Sequence, residues 1–413
     1  MSYPDATPEP IAFGERLRIL RTRRGMTRPV LAGLLGKSPS WLKQIERGDL
    51  HTPSLPMVLR MAEALRVRDL SDLTGDAARM PTALFIGPGH PRLPEVRAAV
   101  DAFPLPVDDR RAPDTAHLRA SLAHAWAARH SAPNHREVIG TLLPGLIRDG
   151  QLAVRQAGTP AERRAAQAVL AEVYSLAQFF LAYQPDSALL WRVAERGMVA
   201  AQESGDPHAL GMAAWLTAEA HRDSAQYDGA DAVTMQALHW LEPQLPDAGE
   251  DVRAIAGALQ VAAGYTASSR GDAGSAWGWW DKADRVARGL SAAYYHPVTS
   301  FSRAVMGAHA VTLAVELHAG NESVRQVRQA DVRSIPSRPR RARHRIEEAR
   351  AYQLDGKPEA ALETVDKAHE NAPETIQYNG YARRIILEET EAKAPDRRRR
   401  ASELAVKVGV LAA

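Results

Sequence analysis

The chain of 413 residues contains no cysteine, and this absence excludes several classes of protein. A chain without thiols has no disulfide framework, no thiolate metal site and no cysteine nucleophile. Long hydrophobic runs are also missing, since no stretch approaches the roughly eighteen apolar residues of a membrane span. The polar, proline-containing N-terminus does not have the pattern of a signal peptide. We therefore expect a cytoplasmic protein with no membrane partner.

Lysine is scarce, with seven lysines against 45 arginines, whereas alanine is abundant. This bias is typical of high-GC codon usage, as found in actinobacteria. The chain is too long for a single hydrophobic core, and we expect two or three domains. Strand patterns are almost absent beyond residue 161. The fold class predicted from these features is all-α.

Sequence patterns of catalysis are also lacking. The chain has no phosphate-binding loop, no HExxH or GxSxG motif and no constellation of paired carboxylates. Three histidines, His124, His130 and His135, lie close together in sequence, but their spacing is not that of metal ligands on a helix. We therefore predict no catalytic residues, no metal site and no cofactor, and we do not expect an enzyme.

The segment from Thr27 to Gly48 predicts two short helices joined by a tight turn. The Thr27 hydroxyl can cap the first helix by accepting from an unpaired backbone N–H group. Gly36 ends that helix, because glycine readily adopts the left-handed conformation found at helix C-termini. Ser38 caps the second helix, and Pro39 occupies its first turn, where a missing N–H costs little.

The second of these helices has one apolar and one polar face. Leu42 and Ile45 are spaced to turn inward, which leaves a polar and basic row outside: Ser40, Trp41, Lys43, Gln44 and Arg47. Side chains of this kind on an exposed helix are what the reading of base edges in a major groove requires. Amphipathic segments before and after the pair complete five helices within residues 11–75.

This arrangement resembles the Cro/C1-type (XRE) family of helix-turn-helix DNA-binding domains, which share a five-helix, lambda-repressor-like fold. The anchor positions of the family pattern are Thr27, Leu31, Ala32, Gly36, Ser38, Leu42, Ile45, Glu46 and Gly48. Two positions depart from the pattern: Arg28 replaces a common glutamine, and Lys43 replaces a common serine or threonine. The first substitution preserves a backbone contact to DNA, and the second changes which bases are read.

The charge distribution agrees with a DNA-binding head. Residues 11–75 contain twelve arginines and lysines against six acids, a net charge of +6, whereas the whole chain carries +3. A positive excess confined to one module is the expected electrostatic footprint of phosphate binding. We assign base reading to Ser40, Lys43 and Gln44, with Trp41 against a thymine methyl group. The other predicted DNA-binding residues are Arg28, Lys37, Ser38, Arg47 and His51.

The centre of the chain separates this head from a larger part. Seven prolines lie between Pro81 and Pro113, which predicts an extended linker over residues 76–114. Residues 115–160 follow as a helical bridge, with Leu118, Leu122 and Trp126 recurring every four residues.

Residues 161–413 predict an α-solenoid of helix pairs. Long alanine-rich amphipathic segments alternate with short turns, among them turns at Gly271, Gly320 and Gly356, spaced 49 and 36 residues apart. These spacings lie near or above the 34-residue period of tetratricopeptide (TPR) repeats, and the segments are similar to such repeats in style. The Trp-x-x-Leu-Gly signature of the TPR family is absent. Stacked pairs of this type bury a continuous core and form a concave face.

Trp215, Glu219 and Arg222 recur at i, i+4 and i+7 on one predicted helix. If that helix is the inner member of its pair, these residues form an effector site on the concave face together with Gln178, Tyr265 and Arg303. The alternatives are an exposed Glu–Arg pair of little energetic weight and aromatic residues that only fill the core. We interpret the basic runs at 338–345 and 397–400 as solvated charge.

A Cro/C1-type head before a TPR-like body resembles one-component regulators that join a DNA reader to a ligand sensor. The resemblance implies a homodimer that binds double-stranded DNA at an inverted-repeat operator. The effector can be a small molecule, a peptide or a protein; asparagines that hold a peptide in related regulators are too few here for that site to be transferred. Residues 28–35 lack the acidic side chains found in many activators, which favours a repressor. The alternative function is a TPR scaffold or adaptor whose head docks a protein.

Overall fold

The structure, a computed structural model, describes residues 12–53, 55–65, 67, 70–75, 89–102, 111–224 and 226–411. Within these ranges all regular secondary structure is helical, which confirms the predicted all-α class. Backbone contacts divide the chain into two compact units: Met1–Gly87 with Gly380–Ala413, and Pro88–Asn379. We call them the head unit and the repeat unit.

The head unit begins with five helices: α1 (Phe13–Arg23), α2 (Arg28–Leu34), α3 (Pro39–Arg47), α4 (Leu55–Ala64) and α5 (Ser71–Thr74). The predicted caps of α2 and α3 are present, since the Val30 N–H donates to Thr27 Oγ1 at 3.4 Å and the Trp41 N–H donates to Ser38 Oγ at 3.1 Å. Gly48 ends α3 in the left-handed conformation, with φ of 77°.

The core of the head is formed by apolar side chains from all five helices, among them Leu17, Leu31, Leu42, Met61 and Leu73. Helices α1 and α3 approach one another unusually closely. A Cβ atom added to Gly14 would lie 2.2 Å from the carbonyl oxygen of Ile45, so only glycine fits at this contact. The position of α3 is therefore set by direct backbone packing against α1.

Two C-terminal helices complete the head unit: α20 (Gly380–Glu389) and α21 (Pro395–Lys407). Leu387 of α20 packs against the head core. Arg60 Nε of α4 lies 3.6 Å from Glu388 Oε1, and Arg384 forms an ion pair with Glu63. The sequence analysis placed residues 380–413 in the repeat domain. The structure divides the chain differently, because these long-range contacts join helices that are far apart in sequence.

The repeat unit contains fourteen α-helices in its described residues. They are α6 (Leu93–Asp101), α7 (Thr115–Ser131), α8 (His135–Gln156), α9 (Pro160–Leu181), α10 (Ser187–Ser204), α11 (Pro207–Asp223), α12 (Tyr227–Leu241), α13 (Glu250–Arg270), α14 (Ala273–Gly289), α15 (Met306–Glu316), α16 (Gly320–Gln329), α17 (Arg338–Leu354), α18 (Pro358–Asn371) and α19 (Pro373–Tyr378). Short 3-10 helices lie at Glu242–Asp247, Arg303–Val305 and Val332–Ser334. No helix in the described part of the chain is long and apolar enough to cross a membrane.

Helices of the repeat unit pack in TPR-like pairs, as predicted. The pairs are α9 with α10, α11 with α12, α13 with α14, α15 with α16, and α17 with α18. The first members also pack on one another in succession, from α9 through α11, α13 and α15 to α17, and so form an inner row. Helix α7 extends this row by packing against α9. The remaining helices of the pairs lie outside it.

The inner row, α7, α9, α11, α13, α15 and α17, closes on itself, because its last helix packs against its first. His130 of α7 provides the link. Its Nε2 donates to the carbonyl oxygen of Pro297 at 2.8 Å, and its Nδ1 accepts from the Ser337 hydroxyl at 2.9 Å. Ser337 is the N-cap of α17, so one imidazole contacts the start of the last inner helix. A solenoid pattern predicts repeated pairs but contains no signal for this closure.

The predicted linker and bridge have structures of their own. Residues 76–88 and 103–110 of the linker lie outside the described residues. The part between them contains α6, whose Val96 and Val100 are buried and which packs against α8. The bridge, residues 115–160, contains α7 and α8, and both pack within the repeat unit. It is continuous with the inner row because α8 and α9 form an extensive interface.

Closure by a neutral histidine makes the stability of the repeat unit sensitive to acid. Burial, followed by the charge of Arg129, lowers the pKa of His130 to about 4, and the hydrogen bond to Pro297 opposes this only partly. The unfolded chain binds the proton near pH 6.5, so the free energy of unfolding should fall between pH 6.5 and 4, by up to about 3 kcal/mol for this group.

The test compares His130→Gln, which can keep both hydrogen bonds but does not titrate, with the wild type in urea unfolding between pH 7 and 4. We expect a smaller loss of unfolding free energy in the variant. The exposed His117→Gln serves as the matched control and should follow the wild type. Equal pH dependence in wild type and His130→Gln would contradict the assignment.

Candidate nucleic-acid interface and effector site

The exposed face of α3 presents the hydrogen-bonding side chains that the sequence predicted. Leu42 and Ile45 are buried in the head core. Trp41 is half-buried and packs against the same core, so only part of its ring is available to a ligand. The remaining predicted residues of this region are exposed: Lys37, Ser38, Ser40, Lys43, Gln44, Arg47 and His51.

A cation–π contact extends this face beyond the N-terminus of α3. Lys37 Nζ lies 5.5 Å from the centroid of the Trp41 ring, which directs an ammonium group alongside the helix start. Arg47 occupies the other end, in the last turn of α3. The cations therefore flank the polar side chains of Ser40 and Gln44, with positive charge at both ends of the row.

A buried carboxylate fixes the three helices that carry this face. Glu46 of α3 accepts from Arg21 Nε of α1 at 2.5 Å and from Arg28 Nε of α2 at 2.6 Å. Arg21 also donates to the carbonyl oxygen of Met26 at 2.7 Å, just before α2. Charge-assisted hydrogen bonds of this kind are about twice as strong as neutral ones. These bonds from one acidic side chain therefore add to the packing that holds α3 against α1 and α2.

Arg28 has a structural partner in addition to its predicted role. Its Nε pairs with the buried Glu46, while 40% of the Arg28 side chain is exposed. The sequence analysis did not foresee this pairing, although glutamate at position 46 belongs to the family pattern. The phosphate contact of Arg28 stays a prediction, and it concerns the guanidinium atoms that the ion pair leaves accessible.

The predicted effector residues of α11 belong to the inner row of the repeat unit. The ring of half-buried Trp215 lies 6.2 Å from that of Phe179 on α9. Glu219 and Arg222 form an ion pair of 2.5 Å, and Arg222 Nη1 donates to the Ala262 carbonyl oxygen of α13 at 3.2 Å. Since only 7% of the Arg222 side chain is exposed, this is not an exposed surface pair.

Two further predicted residues connect inner helices to one another. Gln178 is buried in α9, and its Nε2 donates to the Leu216 carbonyl oxygen of α11 at 2.9 Å. Tyr265 of α13 lies 2.6 Å, through its hydroxyl, from Nδ1 of His309 on α15. The structure therefore brings five of the six predicted effector residues to the inner row, on α9, α11 and α13.

Arg303, the sixth predicted residue, occupies a different place. Its Nε donates to the Ala287 carbonyl oxygen at 3.2 Å, and its Nη2 contacts the Arg288 carbonyl oxygen. Both carbonyls belong to the last turn of α14, one of the outer helices. Cations are favourable at this end of a helix because its carbonyl groups lack intrahelical partners. Arg303 thus caps an outer helix and is not grouped with the other five.

The structure corrects the interpretation of the basic run at 338–345 as solvated charge. It forms the start of α17, the last helix of the inner row, and His344 within it is fully buried. Arg343 pairs with the buried Glu347 at 2.7 Å, and Arg350 pairs with the same carboxylate at 2.7 Å. Glutamates four residues after basic residues neutralise them and so allow α17 to be buried. This i, i+4 spacing is the signal that the sequence analysis missed.

Comparisons with known proteins agree with the geometry of the head. Residues 12–73 match a family model described as a helix-turn-helix domain. No curated protein matches the chain. The N-terminal part of the chain is therefore a helix-turn-helix domain, and the match does not extend to the repeat unit.

Solved structures similar to the chain include PlcR and two ComR proteins, all at low identity. PlcR from Bacillus thuringiensis, in complex with the peptide PapR7 and DNA, has 11% identity and a TM-score of 0.29, with 88% of this chain and 98% of that chain covered. Apo ComR from Streptococcus vestibularis has 15% identity and a TM-score of 0.26, with 68% of this chain and 92% of that chain covered. ComR from S. thermophilus, in complex with DNA and its signalling peptide ComS, has 15% identity and a TM-score of 0.21, with 61% of this chain and 99% of that chain covered. These TM-scores all lie below 0.5.

Removal of the Glu46 carboxylate should loosen the three helices around the exposed face of α3. Glu46→Ala leaves Arg21 buried without its partner, and breaking such a pair costs on the order of 3–5 kcal/mol. We expect hydrogen exchange to accelerate in all peptides from α1 to α3, measured by mass spectrometry on the full chain. Glu15→Ala is the matched control, because Glu15 and Arg18 form an exposed pair worth about 0–1 kcal/mol. Equal exchange in both variants would refute the central role of Glu46.

Proposed function

We propose that this chain is a sequence-specific, DNA-binding transcriptional regulator of the Cro/C1 (XRE) type. The observation that carries the proposal is the exposed row on α3, in which Ser40, Lys43 and Gln44 point away from a core that the same helix helps to form. This helix lies inside the segment that matches a helix-turn-helix domain. Donors and acceptors in such a row are suited to base edges in a major groove.

The two kinds of DNA contact are divided between the middle and the flanks of the row. Lys43 and Gln44 read bases, because bidentate donors and amides distinguish base pairs in the major groove. Lys37 and Arg47 bind phosphates on either side and fix the register, as cations at the edges of a reading helix do. His51 and the accessible part of Arg28 add backbone contacts. The net charge of +6 over residues 11–75 supports this division.

The proposed regulator acts as a homodimer on an inverted repeat, and the repeat unit senses an effector. Half-buried side chains on the inner row, among them Trp215, Glu219 and Tyr265, would contact this effector. An effector changes DNA binding only if it binds two arrangements of the protein with different affinity. The absence of acidic residues from positions 28–35 favours repression, in which the bound protein blocks transcription.

Selection of genomic fragments by the purified full-length protein tests the proposal. Sequencing of the retained fragments should recover an inverted repeat, and affinity for the best fragment should fall steeply with salt, because bound phosphates release counterions. Weak binding that is blind to sequence would overturn the proposal in favour of an adaptor. A head that docks a protein through apolar contacts would also show little dependence on salt.

Two substitutions on α3 should have different signatures. Gln44→Ala removes a base contact, so we expect a loss of about 1–3 kcal/mol at the preferred operator and relaxed selection at one base pair per half-site. Arg47→Ala removes a phosphate contact, which should weaken all sequences alike and reduce the salt slope by about one per head.

Fluorescence anisotropy on the selected operator and on a scrambled duplex, across a salt series, measures both effects. Arg18→Ala is the control, since this exposed arginine of α1 pairs with Glu15 and has no predicted DNA contact. If Gln44→Ala and Arg47→Ala weakened the two duplexes equally, the division of roles would be incorrect.

A further inference from the structure

Arg129 of α7 is a buried arginine without an oxygen partner. Only 8% of the residue is exposed. The other four buried arginines of the described residues all donate to a carboxylate or a backbone carbonyl: Arg21, Arg136, Arg350 and Arg383. No carboxylate or carbonyl oxygen in the described ranges lies within hydrogen-bonding distance of the Arg129 guanidinium. A buried charge without an oxygen partner is strongly unfavourable. Arg129 therefore differs from the other buried arginines in a way that needs an explanation.

The contacts of Arg129 are aromatic. Its Cζ lies 4.1 Å from the centroid of the Phe179 ring and 5.6 Å from that of Trp126. Its only polar contact is weak, from Nη1 to Nδ1 of His130 at 3.4 Å, and that nitrogen already accepts from Ser337. Stacking on a ring holds a guanidinium in place but supplies no acceptor for its N–H donors, since the donors lie in the guanidinium plane.

A second arginine lies near the first on the facing inner helix. Arg340 of α17 is half-buried, and its Nη2 lies 3.4 Å from Nδ1 of His309. Because a guanidinium can only donate, that nitrogen is an acceptor, and the Tyr265 hydroxyl donates to it as well. Burial, with Arg340 and His344 nearby, lowers the pKa of His309 well below its ordinary value, so this partner is neutral. Arg340 therefore also lacks an anionic partner within the described part of the chain.

The two guanidinium groups, which we call the arginine pair, repel one another. An anion between them would therefore be stabilised by both. Burial lowers the pKa of Arg129 to about 10; Tyr295 opposes this, while Arg136 and Arg340 add to it by repulsion. Arg136 differs in that Glu374 lies near it and its Nη1 donates to the carbonyl oxygen of Phe180. The excess positive charge is thus concentrated on the arginine pair.

Aromatic surface continues away from the arginine pair along the inner row. Phe179, which carries Arg129 on its face, is half-buried, and Trp215 lies beside it with 6.2 Å between ring centroids. Tyr265 is half-buried next to Arg340 through their shared His309. A ligand held by the two cations would therefore have apolar rings on which the rest of its structure can pack.

We propose that the interior of the repeat unit binds a small organic anion, whose carboxylate or phosphate group lies between Arg129 and Arg340 and whose apolar body packs on Phe179 and Trp215. Planar guanidinium groups match both kinds of anionic group through paired N–H donors. The proposal rests on the sensing role proposed above, for which this ligand would be the effector. Of the four residues named, only Trp215 was assigned to the effector site by the sequence analysis.

Isothermal titration of the full-length protein with three related probes tests the site without DNA. The probes are 1-naphthoate, 1-naphthyl phosphate and the neutral 1-naphthalenemethanol, which share one aromatic body. We expect at least one anion to bind about tenfold or more tightly than the neutral probe, because the charge interaction is worth more than about 1.4 kcal/mol. The preferred anion then identifies the carboxylate or the phosphate as the natural group.

Substitution of either arginine should remove this preference. In Arg129→Met and Arg340→Met we expect the anions to lose about tenfold or more in affinity, with the neutral probe little changed. Arg325→Met is the matched control, because Arg325 is 65% exposed and pairs with Glu322. Anions that bind no better than the neutral probe, that fail to bind below about 10 mM, or that ignore both substitutions overturn the proposal.

A stability measurement separates a ligand site from a structural role. Without ligand, Arg129→Met removes an uncompensated buried charge, so its unfolding temperature should not lie below that of the wild type. A clear decrease would show that Arg129 supports the fold and would overturn the proposal. Operator binding is measured separately: its failure would overturn DNA reading alone, whereas failure of the anion titration would leave operator selection intact.

Discussion

The His130 imidazole of α7 accepts a hydrogen bond from Ser337, the N-cap of α17, and donates one to the carbonyl oxygen of Pro297. These bonds support the closure of the inner row, on which the character of the repeat unit depends. An open solenoid would expose its inner helices to water on one side. Closure instead turns that side into an interior, where each polar group must find a partner or remain costly. Tyr265 and Arg222 meet this requirement by bonding across neighbouring inner helices. Arg129 has no such oxygen partner among the described residues, and because the inner row is closed, this lack of a partner is costly.

The head unit also contains a buried charge, and there the charge is fully paired. Glu46 is buried, as Arg129 is, but its oxygens receive donors from two arginines on two other helices. A fully satisfied buried charge specifies one arrangement of its neighbours, because any other arrangement would leave a charge unpaired. In the head unit a fully paired carboxylate thus joins the three helices around the exposed face of α3, whereas in the repeat unit the Arg129 guanidinium has no carboxylate or carbonyl partner among the described residues.

Local patterns made the head predictable from sequence. Caps at Thr27 and Ser38, and the apolar spacing of Leu42 and Ile45, act over a few residues, so their consequences can be read directly. The helix pairs followed from periodicity for the same reason. Ring closure could not be predicted, because His130 and Ser337 are 207 residues apart and neither has a distinctive neighbourhood. The burial of the basic run at 338–345 was hidden for a similar reason, because its composition is that of a solvated surface until the helices that pack against α17 are known.

The head unit is assembled from the two ends of the chain, with residues 88–379 made between them. During synthesis at roughly 5–20 residues per second, α1 to α5 leave the ribosome well before α20 exists. The nascent head therefore lacks Leu387 and the ion pairs of α20 until residues 88–379 have been synthesised. The fold of the head unit is thus completed only after the whole repeat unit has left the ribosome.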